Sequence, residues 1–172
     1  MPPTGTANSN LIVIRGNAAS GKSSTAQGIR DRYGRGIAIV GQDIIRRTIL
    51  REQDLAGAAN IGLIDMTARY ALDQGYHVIV EGVLNAAHYG EMLTRLVHDH
   101  RGQSRCYYFD VSFDETLRRH LTRPEALDFG EQKLRQWYRP QDDVPRLNEW
   151  RISEDVPLTE VIDLIWRDAT LD

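Results

Sequence analysis

Cysteine, lysine and long apolar runs are all scarce in this 172-residue chain, and each scarcity closes off a class of protein. A single cysteine, Cys106, cannot form an internal disulfide, so nothing implies a disulfide scaffold or an oxidising compartment. The longest apolar runs are strand-length, far below the roughly 20 residues that span a bilayer. Residues 1–10 carry neither a basic start nor an apolar stretch and do not read as a secretory signal. Excess positive charge is missing too. The 21 basic and 24 acidic residues leave a net charge of -3, with no global field to recruit nucleic acid or an anionic membrane. At 41% hydrophobic and 26% charged, the composition excludes a disordered or collagenous chain. A cytoplasmic enzyme with no membrane partner is the expectation.

Lysine is the sharpest shortage. Only Lys22 and Lys133 are lysines, and every other basic residue is arginine. A chain that uses arginine almost everywhere still places a lysine at position 22, which draws attention to that position.

What is present alternates strand with helix. Residues 1–10 are small, polar and proline-containing, and read as a flexible tail ahead of a single domain over 11–172. Short β-branched runs at 11–14, 37–40, 77–81 and 105–111 suit buried strands, with a fifth strand expected at 148–152. Helical patterns fall at 23–33, 43–51, 61–74, 85–100, 114–121 and 157–169. Between about 122 and 145 the chain turns polar, with Pro124, Pro140, Pro145 and a helical piece at 131–138, and reads as a lid. This order predicts an α/β fold with a parallel sheet covered by helices on both faces. In such sheets ligands bind beyond the carboxyl ends of the strands.

At the end of the first strand, Gly16-Asn17-Ala18-Ala19-Ser20-Gly21-Lys22-Ser23 matches the phosphate-loop pattern G-x-x-x-x-G-K-[ST] without departure, and Ser24 continues it into the helix. Small residues let successive backbone N–H groups wrap a phosphate, and the helix N-terminus adds its dipole. Lys22 is expected to reach the β- and γ-phosphates of ATP, and the Ser23 hydroxyl to ligate Mg²⁺. No guanine-recognition N/TKxD motif follows any strand, since Lys133 has no Asp two positions on. The third strand ends in Glu81 alone, without the acidic pair expected of a motor ATPase in a larger chain.

The second strand runs into Gly41-Gln42-Asp43-Ile44-Ile45-Arg46. Asp43 at that strand end stands where a base must sit to take a proton from an acceptor hydroxyl. The competing role, a helix N-cap, is compatible with it. Arg46, three residues on, shares its face and is read as binding the acceptor or the transferred phosphoryl group. Glu81 is read as orienting the acceptor or holding Mg²⁺ through water.

The phosphate loop, the D-x-x-R after the second strand, and the stretch Phe109-Asp110-Val111-Ser112 through Glu115 to Arg123-Pro124 resemble small P-loop kinases of the zeta-toxin, chloramphenicol phosphotransferase and polynucleotide-kinase type. The resemblance implies a P-loop NTPase three-layer fold with a five-stranded sheet of order 2-3-1-4-5 and a helical lid. It also implies ATP with Mg²⁺, and transfer of the γ-phosphate to a hydroxyl, with Asp43 as base and Arg46 on acceptor or phosphate. Lid arginines in such kinases sit on the adenine face and near the γ-phosphate. Arg119 and Arg123 fit those places best, while Arg135 and Arg139 are further candidates. The alternative for Arg119 is a solvated pair with Glu115 at i, i+4.

The acceptor is expected to be a small molecule: a sugar, an antibiotic or a nucleoside. A 5′-hydroxyl polynucleotide kinase also suits D-x-x-R, but no basic stripe is present for a strand's phosphates. A nucleotide-binding regulator without an acceptor would have no use for a base at Asp43. Elsewhere, His98 and His100 suit a helix C-terminus better than a metal. Cys106, Trp150 and Trp166 are expected in the core, Trp137-Tyr138 as a packing anchor, and Asp142-Asp143 in a turn.

Overall fold

A computed structural model describes residues 2–171, apart from the side chain at position 125. Five parallel strands form one sheet: β1 (Asn10–Gly16), β2 (Ile37–Gly41), β3 (His77–Gly82), β4 (Gln103–Asp110) and β5 (Trp150–Ser153). Their order is β2-β3-β1-β4-β5, the arrangement expected of a P-loop kinase. Six α-helices accompany it among the described residues: α1 (Lys22–Tyr33), α2 (Ala59–Asp73), α3 (Ala86–Asp99), α4 (Phe113–His120), α5 (Glu131–Trp137) and α6 (Leu158–Asp168).

Strand alternation divides the core in two. Leu11, Val13, Val78 and Val80 pack with Ile64, Ala68 and Leu72 of α2 and Leu93 and Leu96 of α3. Ile12, Ile14, Ile79 and Phe109 turn the other way, onto Ala26 and Ile29 of α1 and Val161 and Ile165 of α6. Each such side chain, fully buried, contributes about 1.5–3 kcal/mol. Because both faces are covered, the strands read as unbroken apolar runs. Cys106 belongs to this core, and burial pushes its thiol up to about 12.

Five expectations change. Residues 2–10 are not a loose tail. Thr4 is 2% exposed and forms a parallel bridge with His100. The Thr4 amide donates to the Asp99 carbonyl at 2.9 Å, and the Gly5 amide to the Asp73 carboxylate at 2.6 Å. The small polar residues of this segment thus satisfy groups at the ends of α2 and α3 that those helices cannot satisfy themselves.

The helix expected at 43–51 is a π-helical segment, Ile44–Ile49, closed by the Leu50 amide on the Ile45 carbonyl. Trp150 is 52% exposed at the start of a four-residue edge strand on which only Ile152 is buried. The polar stretch at 122–145 is not uniform. Residues up to Trp137 lie over the molecule as a 3₁₀ turn (Pro124–Leu127) and α5, whereas the chain from Tyr138 onward is tied to the sheet. Asp142, expected in a simple turn, accepts from the Ala86 amide at 2.8 Å and faces Arg15.

Candidate active site

The carboxyl ends of β1, β2 and β3 bring the site together. Between β1 and α1 the chain must reverse tightly, and its backbone angles show how. Gly16 has φ 146 and Gly21 φ 100, and Ala19 is held in the left-handed region at φ 56. A Cβ at position 16 would stand 2.7 Å from the Phe109 carbonyl, so only glycine fits. A non-glycine residue kept in that region marks a loop whose shape matters more than its local strain. Loops curled in this way gather backbone N–H groups into a concave anion site, and here α1 adds its N-terminal dipole.

Lys22 opens α1 yet is only 6% exposed. Its Nζ donates to the Asn17 carbonyl at 2.6 Å and to Ser20 Oγ at 3.1 Å. Burial lowers its pKa to about 8, against the opposing pull of the Glu81 and Asp43 carboxylates and with the Arg123 guanidinium adding to the depression. Gly41 pairs with Glu81 across β2 and β3, so Glu81 and Asp43, just beyond β2, lie at adjoining strand ends.

Ser23 Oγ donates to Glu81 Oε2 at 3.0 Å. Gly41 makes room for that carboxylate, since a Cβ there would come within 2.9 Å of Glu81 Oε1. Burial raises the pKa of Glu81. A hydroxyl and a desolvated carboxylate side by side are hard oxygen donors, the set that suits Mg²⁺ when phosphates and waters supply the rest. Ser24 is exposed on the first turn of α1.

Asp43 is not a side-chain cap. It has helical angles and no capping hydrogen bond, and its carboxylate is 67% exposed. The π-helical segment carries two guanidinium groups to it, Arg46 Nη2 and Arg47 Nε, each 3.1 Å from Oδ1. π-Turns of this kind occur often at functional sites. Arg46 also reaches the Glu52 carbonyl at 3.4 Å, while its buried Nε has no partner.

The arginines near the lid divide. Arg119 grips Glu115 Oε1 at 2.5 Å, the Ser20 carbonyl at 3.2 Å and the Glu154 carbonyl at 3.1 Å, so it braces the phosphate loop against the β5–α6 turn. Its pairing with Glu115 is the i, i+4 contact weighed above, but it is half-buried rather than solvated. Beside it lies a cavity of about 250 Å³, lined by Gly21, Thr25, Phe109, Arg119, Ile152 and Val156. Arg135 pairs with Glu131 and stacks 4.0 Å over the Phe113 ring, and Arg139 is exposed.

A second polar group escaped the sequence reading. Gln42 Nε2 donates to the Tyr89 hydroxyl at 2.8 Å, and that hydroxyl stands 3.0 Å from Asp54 Oδ1 and 2.8 Å from Asn60 Oδ1. Gln42 Oε1 receives the Leu84 amide at 2.9 Å, and His88 Nδ1 lies 3.2 Å from Asp54. Burial, with Asp54 adding to it, drives the Tyr89 hydroxyl well above its ordinary pKa. This network joins the segments after β2 and β3. Its members lie far apart in sequence, so the only available signal was several polar residues on otherwise apolar helices.

Several solved structures share this architecture. The APS kinase of Mycobacterium tuberculosis, solved with AMPPNP and APS, aligns with a TM-score of 0.68 at 20% identity, covering 99% of this chain and 100% of that one. The tunicamycin resistance protein of Deinococcus radiodurans gives 0.63 at 14% identity, covering 96% and 98%. A gluconokinase from Sinorhizobium meliloti gives 0.60 at 17% identity, covering 99% and 96%. At these identities the likeness concerns the fold. No curated protein sequence matches the chain significantly. The model of one family, described as an AAA domain, matches residues 11–142, more than half of the chain. The motor-type acidic pair is absent all the same, and the chain belongs to this AAA-domain family.

Proposed function

We propose that this protein is an ATP-dependent phosphotransferase acting on a hydroxyl of a small molecule. The observation that carries the reading is the buried Lys22 ammonium inside a complete phosphate loop, with the Ser23–Glu81 hydrogen bond and the exposed Asp43 carboxylate at adjoining strand ends. Such a site has a cation for the phosphates, oxygen donors for a metal, and a separate carboxylate facing outward for an acceptor. The nucleotide complex of the similar APS kinase supports nucleotide binding at the loop.

In this reading the backbone of Gly16–Ser23 and the Lys22 ammonium hold the triphosphate. The cavity beside Gly21 and Arg119 is the right place and size for the base. Ser23 and Glu81 would hold Mg²⁺, which when bound neutralises charge across the β- and γ-phosphates. Asp43 accepts the proton of the acceptor hydroxyl as its oxygen bonds to the γ-phosphorus and the bond to the β-phosphate oxygen breaks, leaving ADP. Arg46 and Arg47 hold the Asp43 carboxylate in place, and Arg46 can turn to the acceptor. Arg123, near Lys22, contributes positive charge as negative charge spreads over the transferring group.

The test is transfer of labelled γ-phosphate from ATP to a panel of sugars, nucleosides, antibiotics and 5′-hydroxyl oligonucleotides. Labelled product from one small-molecule class, abolished by Lys22→Ala in a folded protein, is the expected result. Transfer to oligonucleotides alone, or to no acceptor with slow hydrolysis only, would overturn the proposal.

A further inference from the structure

The second residue of the phosphate loop does something the loop pattern does not require. Asn17 is 5% exposed, and its side-chain amide makes a two-point clasp on the backbone of Arg139. Its Nδ2 donates to the Arg139 carbonyl at 2.8 Å, and its Oδ1 accepts the Arg139 amide at 2.9 Å. Arg139 follows directly on Tyr138, the residue that ends α5. On the far side of this point the chain is immobilised. Arg15, fully buried on β1, donates from Nε to Glu149 at 2.6 Å, from Nη1 to the Leu84 carbonyl at 2.5 Å and from Nη2 to the Asp142 carbonyl. On the near side, residues 122–137 hold to one another and to α4, through Phe129 against Trp137, Arg135 with Glu131 and over the Phe113 ring, and His120 on the Phe129 carbonyl.

We infer that Asn17 is the positioning residue that fixes the root of the lid to the phosphate loop, so that occupancy of the loop is transmitted to α5. The inference rests on the nucleotide-binding reading of the loop. The same residue serves both ends. Its backbone carbonyl holds the Lys22 ammonium, which bound phosphates draw away, and its side chain holds Arg139. Any shift of the loop at Asn17 on filling therefore passes to Arg139 without an intermediary. A buried two-point amide clasp transmits direction as well as position, which a single contact or an apolar side chain does not.

Trypsin cleaves after Lys133 and Arg135, which lie exposed on α5, and so reports on the lid. Cleavage at these sites is measured with and without saturating AMPPNP and Mg²⁺, beside nucleotide affinity and a thermal melt, in the wild type, Asn17→Ala and Asn17→Asp. The wild type is expected to be protected at least about fivefold by nucleotide. Asn17→Ala, compared with wild type at AMPPNP concentrations that saturate each protein, should lose the protection. Asn17→Asp keeps the acceptor half of the clasp and should show intermediate protection. A residue that merely stabilised the fold would lower the melt and leave nucleotide-dependent protection intact. Full protection in Asn17→Ala, or no protection in a wild type that binds AMPPNP, overturns the inference. A wild type that binds no nucleotide overturns the functional reading and this inference with it.

Discussion

In the proposed reaction, Asp43 is the residue on which the chemistry turns. Its carboxylate is exposed, held by two arginines, and free of any capping duty. Replacing it with asparagine keeps the shape and removes the capacity to take a proton. General-base assistance is typically worth about 10²–10⁴-fold, so turnover of Asp43→Asn should fall by about that factor. AMPPNP affinity should change little, since the loop amides, Lys22 and Ser23 stay in place. Steady-state kinetics with the acceptor found by the transfer panel, beside a direct binding measurement, checks both halves. Near wild-type turnover would move the base to Glu81. At this scale the sequence was legible wherever function demands a fixed spacing. Gly16 to Ser23 announces itself, and Asp43 with Arg46 stands out after a strand. Asn17, by contrast, occupies a position where the loop pattern allows any residue, so its hold on Arg139 had no local signal.

Among elements, the chain from Tyr138 onward is tied to the sheet chiefly by one side chain on the central strand. Arg15 interrupts an otherwise apolar run, and its guanidinium is answered by Glu149, Asp142 and two backbone carbonyls. Taking away one member of a buried ion pair leaves the other charged and unpaired. Arg15→Met should therefore destabilise the protein by about 3–5 kcal/mol, and adding Glu149→Leu should restore much of that loss. Urea unfolding of the two variants reads this, and equal losses in the single and double variants would argue against a coupled pair. Strands and helices were legible because their apolar periods are strict, with boundaries off by a residue or two. The π-helical segment was not. Its β-branched residues suit a helix no better than they suit the wider turn, and what favours the latter, two guanidinium groups gathered on Asp43, is a side-chain arrangement that hydropathy does not record. The clustering of Gln42, Asp54 and Tyr89 stayed hidden for a related reason, since it exists only once β2 and β3 lie side by side.

For the molecule as a whole, the half-buried His77 and the buried His100 should make stability fall in acid. His77 accepts the Asn10 amide at 2.9 Å and meets the edge of Tyr33, and His100 lies between the hydroxyls of Ser9 and Ser104, each at 2.9 Å. None of these partners is charged, and burial lowers both pKa values below 6.5. The unfolded chain therefore takes up protons first as the solution is acidified. Stability should be full at neutral pH and decline below about pH 6.5, until the folded histidines protonate in turn. A melt series from about pH 7.5 to about pH 5.5 should show Tm falling by several degrees, and His100→Gln should flatten that decline. An unchanged slope in the variant would assign the effect to other groups. The parallel sheet was legible at this scale from its strand–helix alternation, and its 2-3-1-4-5 order through the resemblance carried by the phosphate loop. The docking of the first residues was not, because small polar side chains bind helix ends only when those ends are brought to them.

The anchoring of the lid to Arg15 and Asn17 also bears on how such enzymes can be recombined. A lid bounded by polar, proline-containing sequence looks like a cassette to be swapped between relatives at 122 and 145. Yet its returning limb is wired to two residues more than a hundred positions upstream, and to Glu149 beyond the apparent seam. A chimaera cut at those seams would inherit a foreign limb facing a native guanidinium and a native carboxamide, with neither matched. The unit that can be exchanged intact is larger and discontinuous: the end of the central strand together with the whole stretch through residue 149.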